Sequence, residues 1–86
     1  MPGIARQGVD VAGGQDAAGS PNVFVDKKPV VRIGDAVTGH GKGEHASPVM
    51  SAGSGNVFAN GIGVCRSGDA ASCGHTTSGS SDVIAN

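Results

Sequence analysis

Residues 19–36 read GSPNVFVDKKPVVRIGDA, and residues 53–70 read GSGNVFANGIGVCRSGDA. At an offset of 34 residues, ten of these eighteen positions are identical: Gly19/Gly53, Ser20/Ser54, Asn22/Asn56, Val23/Val57, Phe24/Phe58, Val30/Val64, Arg32/Arg66, Gly34/Gly68, Asp35/Asp69 and Ala36/Ala70. Self-similarity at a fixed offset marks a module used more than once. Within the module a β-branched and aromatic run (Val23-Phe24-Val25, Val57-Phe58-Ala59) meets a turn and then a second run, 29–33 or 63–67. In the second copy the turn is Asn60-Gly61, the strongest short hairpin signal, because a type I′ loop needs positive φ at both central residues. The first copy has Asp26-Lys27-Lys28 there, which reads as a looser connection. Gly34 and Gly68 close the second run, and Asp35 and Asp69 follow as turn formers.

Outward from these two copies lies a third, cut in half. Residues 79–86, GSSDVIAN, match the front of the module, and Gly3-Ile4-Ala5-Arg6-Gln7-Gly8 matches its back. The pattern predicts an all-β fold of three β-hairpins joined by long loops, with one hairpin shared by the N- and C-termini. Chain ends that complete one copy between them suit a closed, pseudo-threefold object rather than an open solenoid. The loops between hairpins span 8–19, 34–53 and 68–79, and the middle one is the longest. A loop of that length in so small a unit needs something to tie it down.

Composition sharpens the need. The chain has 86 residues, 16 Gly, 2 Phe and no Leu, Trp or Tyr, so a third of its apolar residues are alanines that bury little area. Ordering it costs about 1.5 kcal/mol per residue, and chains this small generally add a metal, a disulfide or a partner to a thin core. The glycine content and missing Leu exclude a helical bundle, and their lack of a three-residue period excludes collagen. Apolar stretches of three or four residues are too short to span a bilayer. Met1-Pro2-Gly3 begins no basic region or apolar segment, so synthesis in the cytoplasm without a signal peptide is expected. Six Lys+Arg against seven Asp+Glu leave no electrostatic footprint for nucleic acid.

The residues with coordination chemistry are confined to two loops. His40 and His45 lie in the middle loop, spaced His-x4-His, and Cys73 and His75 in the third, spaced Cys-x-His. Threefold packing would bring these loops together, and three imidazoles with one thiolate fill the tetrahedral shell that zinc prefers. Three solvated loop histidines with an unpaired cysteine, or a Cys65–Cys73 disulfide, are the competing readings. Cys65 aligns with Val31 and Ala5, so it reads as a packing position filled by a small hydrophobe. Arg6, Arg32 and Arg66 recur after apolar pairs and read as a three-related set of charges paired with turn carboxylates such as Asp10, Asp35 and Asp69. Glu44 beside His45 lacks the His-Glu-x-x-His helix of a metallohydrolase, and no Gly-x-Ser-x-Gly elbow follows a long strand. No enzymatic activity is expected.

The run Gly19-Ser20-Pro21-Asn22-Val23-Phe24-Val25 through Pro29-Val30-Val31-Arg32-Ile33-Gly34-Asp35 resembles the PAAR-repeat proteins, whose Pro-Ala-Ala-Arg motif stands here as Pro29-Val30-Val31-Arg32. The other two copies carry Gly3 and Gly63 where the motif has Pro. The likeness covers essentially the whole chain, 1–86, as a single domain. It implies a small pseudo-threefold cone with a structural Zn2+ near the apex, bound by three His and one Cys that fall on His40, His45, Cys73 and His75. It also implies a role at the distal tip of the trimeric β-helical spike of a type VI secretion system or contractile phage tail, one copy per trimer. There the chain would cap and sharpen a spike that pierces a membrane without residing in it. A zinc-binding adaptor that docks effector cargo onto the spike is the alternative the resemblance leaves open.

Overall fold

The computed structural model describes residues 2–85, with Glu44 described by its backbone alone. Four of its short strands make the two uninterrupted hairpins: β3 (Phe24–Val25) pairs with β4 (Lys28–Pro29), and β5 (Phe58–Ala59) with β6 (Ile62–Gly63), both antiparallel. The register Val25↔Lys28 and Ala59↔Ile62 leaves two-residue loops in both copies. Asp26 and Lys27 have φ of 53° and 67°, and Asn60 and Gly61 have 55° and 78°. The two turns are therefore the same type I′ turn, and the looser connection expected around Asp26-Lys27-Lys28 is corrected, with Lys28 already in the strand.

The third hairpin is assembled from the chain ends. Gly3 pairs antiparallel with Ile84, and the Ala85 N–H donates to the Pro2 carbonyl at 3.0 Å. Its closing bond, Ile4 N–H to Val83 carbonyl at 2.9 Å, has counterparts in Val30 to Val23 at 3.0 Å and Val64 to Val57 at 3.1 Å. Met1 and Asn86, the two ends expected to meet, lie outside the described residues.

The three copies meet in a closed ring of backbone bonds. Ala5 N–H donates to the Cys65 carbonyl (2.9 Å), Cys65 to Val31 (2.8 Å) and Val31 to Ala5 (3.1 Å). All three residues are fully buried, so the pseudo-threefold axis runs through them. Ile4, Val25, Val30, Ala59, Val64 and Ala85 form one core among the hairpins. Ala12, Val37, Met50, Ala71 and Cys73 join the three ring residues in a second core among the loops. Small side chains, Ala5, Val31 and Cys65, fill this threefold junction.

Each Arg is locked in one way. The Arg6, Arg32 and Arg66 backbone N–H groups donate to Oδ2 of Asp10, Asp35 and Asp69 at 2.8, 2.7 and 2.8 Å, and the guanidinium grips the same carboxylate. Burial works to raise the Asp10 carboxyl, but hydrogen bonds from Arg6 and Ser78 hold it below the ordinary carboxylate range. The repeated serines act as internal caps. Ser20 Oγ accepts from Asn22 and Val23 N–H, Ser54 Oγ from Asn56 and Val57, and Ser80 Oγ from Asp82 and Val83. Neighbouring copies are tied through the turn residues: Asp26 reaches Arg6 and Ser80, and Asn60 reaches Arg32 and Ser20.

The loops form a second tier. Gly8, Gly34 and Gly68, all at positive φ, donate to the carbonyls of Asp16, Met50 and Thr77 at 2.8, 2.7 and 2.9 Å. The first loop folds on itself as β1 (Val11–Ala12) against β2 (Gly14–Gln15), turning at Gly13. The middle loop contains one 3-10 turn, Gly43–His45. Among the described residues there is no α-helix, and no helix is long and apolar enough to cross a membrane. The molecule is longer in one direction, 32 × 23 × 22 Å.

Candidate metal centre

The middle loop bends back on itself through Gly43–His45. The His40 N–H donates to the His45 carbonyl at 2.8 Å, so the turn sets the two imidazoles side by side. In the third loop a tight turn from Ala71 to Gly74, whose φ is +91°, is closed by the Gly74 N–H to the Ala71 carbonyl. The Ala71 N–H then donates to the His75 carbonyl at 2.8 Å. This geometry presents the buried Cys73 and the exposed His75 to the same spot as the half-buried His40 and His45.

The donor atoms of His40, His45, Cys73 and His75 all lie within 4.8 Å of one another. The three ring centroids stand 5.1, 4.9 and 5.2 Å apart, close to an equilateral triangle, with interplanar angles of 58°, 62° and 52°. His40 Nε2 is 3.2 Å from His45 Nδ1 and 3.6 Å from Cys73 Sγ. Tetrahedral zinc bonds of about 2.05 Å to nitrogen and 2.3 Å to sulfur place two nitrogens about 3.3 Å apart, and nitrogen and sulfur about 3.6 Å apart. These two spacings match two edges of such a tetrahedron, within a donor group that spans up to 4.8 Å.

The tautomer of His40 follows from its partner. His40 Nδ1 stands 3.0 Å from the Thr38 carbonyl, which only accepts, so in the neutral ring Nδ1 carries the proton and Nε2 keeps its lone pair facing the other donors. A ligand histidine with its far nitrogen tied to a carbonyl is the usual orienting arrangement at metal sites. Thr38 is itself held, its N–H donating to the Gln15 carbonyl of β2 at 2.8 Å.

Sequence reasoning left the first loop out of the site, yet the structure puts it there as a wall. A Cβ on Gly13 would collide with the His75 ring and lie 2.6 Å from His40 Nε2, and one on Gly14 would lie 2.9 Å from His40 Nδ1. Gly13 also holds a φ of +81°, which L side chains rarely adopt. Gly13-Gly14 is the chain's one adjacent glycine pair, a turn signal, but nothing local ties it to the site, because its task there is defined by rings more than 25 positions away.

The two cysteines are unpaired, so the structure contains no Cys65–Cys73 disulfide. Cys65 sits on the central ring, away from the four donors, with its thiol donating to the Ala52 carbonyl at 3.3 Å. Burial, with help from the Asp69, Asp16 and Asp35 charges, pushes that thiol up to about 12. The Glu44 side chain lies outside the described residues. Chemically, His40, His45, Cys73 and His75 could form a metal site, and the donor set and its spacing are consistent with zinc.

The family profile described as the PAAR motif matches residues 9–79 of the 86. No curated protein matches the chain.

Proposed function

The chain belongs to the PAAR-motif family, and from that premise we propose that residues 1–86 form a single domain that caps the distal end of a trimeric β-helical spike in a contractile injection machine. The family implies a spike-tip role and association with a spike. The finer reading is that one copy sits on each trimer and carries no enzymatic activity. The observation that carries it is the closed Ala5–Cys65–Val31 ring, because it gives one polypeptide the three-related surface that a trimer end demands. A trimeric β-helix otherwise ends in open strand edges, which are prone to unwanted pairing. Phe24, Phe58 and Ile84 occupy one position of the three hairpins and are 56 %, 57 % and 51 % exposed. Three-related apolar side chains left in water fit a three-related partner surface.

We place the metal-bearing loops on the other side of the ring, since Cys73 belongs to the second core. We read this side as the apex of a cone, with His40, His45, Cys73 and His75 as the ligands of a structural zinc. Zinc, when bound, would supply a cross-link between the second and third loops, and four protein ligands leave no open position for catalysis. The chain's own contribution is to preset the donors: Thr38 orients His40, the 3-10 turn brings His45 back to it, and Gly13 leaves room for both His40 and His75. A stiff point built from loops suits a tip that is driven through a target envelope.

The test is binding to the trimeric spike protein of the same machine, read by light scattering after gel filtration. One chain per trimer is the expected result, lost in a Phe24→Ala/Phe58→Ala double variant that melts at the unaltered temperature. Three chains per trimer, or no complex, would overturn the reading.

A further inference from the structure

The loop tier contains a titratable group that the metal reading does not use. Asp16 has no exposed surface, and its Oδ1 has no hydrogen-bond partner among the described residues. Its counterparts in the other two copies are Met50 and Thr77, since all three accept from the strand-ending Gly8, Gly34 and Gly68. A carboxyl thus stands where the pseudo-threefold axis elsewhere places a thioether and a hydroxyl.

Two acceptors compete for one hydroxyl proton beside it. Thr77 Oγ1 lies 2.7 Å from Asp16 Oδ2 and 2.9 Å from the Ser78 carbonyl. A hydroxyl has one proton, and both neighbours would be acceptors if Asp16 were ionised. With a proton on Oδ2 the chain is consistent: Asp16 donates to Thr77, and Thr77 donates to Ser78. Without it, a charge is left in the core with one shared hydrogen bond and no cation. The surroundings do not supply one. Asp10 on the same loop is negative and engages Arg6, Arg6 is spent on Asp10 and Asp26, and Cys65 faces Asp16 from the central ring as a neutral thiol. The second loop offers Val37 and Met50, and the third offers Thr77.

We propose that Asp16 is a proton-dependent tie between the first and third loops: as a neutral acid it closes the relay through Thr77 to Ser78, and on ionising it draws the Thr77 proton away from Ser78 and leaves a charge in the core. Burial, opposed by the Thr77 hydrogen bond and reinforced by the Asp10 charge, pushes the carboxyl up to about 6 from an ordinary 3.8. The native state therefore keeps its proton to higher pH than the unfolded chain does, and stability falls as pH rises from about 4 through 6. The full span corresponds to roughly 150-fold in the unfolding constant, of which about tenfold falls between pH 5 and 7.5.

Two measurements on the full chain in saturating zinc test this. In the first, the Asp16 carboxyl carbon is followed by NMR through a pH titration, and a midpoint near 6 is expected. A midpoint at or below 4 overturns the proposal, whatever any variant does. In the second, the unfolding constants of the native chain and Asp16→Asn are compared. The amide replaces the donor without titrating, and the effects of the imidazoles are common to both. The ratio should rise about tenfold from pH 5 to 7.5, and parallel pH profiles would refute the tie. Should Asp16→Asn not fold, hydrogen exchange at the Thr77 amide of the native chain replaces the comparison. Its protection should fall over that pH range, and constant protection would refute the tie.

Discussion

Replacing Gly13 by Ala attacks the candidate centre from a loop that donates no ligand. Two effects have to be separated, and the structure contains the control. Gly8 has nearly the same backbone conformation as Gly13, φ +77° against +81°, but a Cβ there meets nothing within 4 Å. Gly8→Ala therefore carries only the strain of an L residue in the left-handed region, about 1–2 kcal/mol, or roughly 4–16 °C in melting temperature for a chain of this size. Gly13→Ala carries that strain and a collision as well. Ordinary contact begins at 3.4 Å, so His40 Nε2, now 2.6 Å from the built Cβ, must retreat by about 0.8 Å, and the His75 ring must move too. Coordination tolerates about 0.2 Å, and disturbances one shell further out already weaken metal binding about 10- to 100-fold. A loss of at least about 100-fold in zinc affinity is expected, worth about 2.7 kcal/mol of metal-linked stability. The assay is competition with a chromogenic chelator, alongside melting with and without zinc. With chelator present the two variants should melt together, and with zinc Gly8→Ala should recover as much as the unaltered chain while Gly13→Ala does not. If Gly13→Ala binds zinc within threefold of the unaltered affinity, the assignment of these four donors is refuted.

Three other outcomes are expected. In the zinc-loaded chain at pH 8 neither thiol should react with a disulfide reagent; chelation should release one thiol per chain, Cys73, and unfolding the second, because burial keeps Cys65 protonated. Met50→Ala should cost about 2–5 kcal/mol by chemical denaturation, since this side chain is almost fully buried in the loop-tier core. Asp10→Asn should flatten the acid limb of the stability profile. The Asp10 carboxyl is held below its ordinary value, so its contribution is present above about pH 4 and lost as pH falls through its folded value.

The hairpins could be read from the sequence because their signals are local and repeated. Asn60-Gly61, the β-branched runs and the strand-ending glycines carry their own conformational reasons, and the split third copy is legible once the first two are aligned. The turn at Asp26-Lys27 was not legible as type I′, since nothing intrinsic to Lys27 favours a φ of 67°. Its register is imposed by Asp26, held by Arg6 and Ser80 of the neighbouring copy. The four candidate donors stood out because His and Cys are few and confined to two loops. Their supports did not: Thr38 acts through its carbonyl, Gly13 by having no side chain, and the 3-10 turn is a three-residue element without a period. Asp16 was invisible for a related reason, because its counterparts are a Met and a Thr and only the backbone bonds from Gly8, Gly34 and Gly68 align them.

The centre itself is reached most directly by X-ray absorption at the zinc edge on the purified full chain. One zinc per chain is expected, with a single sulfur at about 2.3 Å and three nitrogens at about 2.0–2.1 Å, and no oxygen in the shell. A chain that retains no metal, or a shell of oxygen and nitrogen without sulfur, would contradict it.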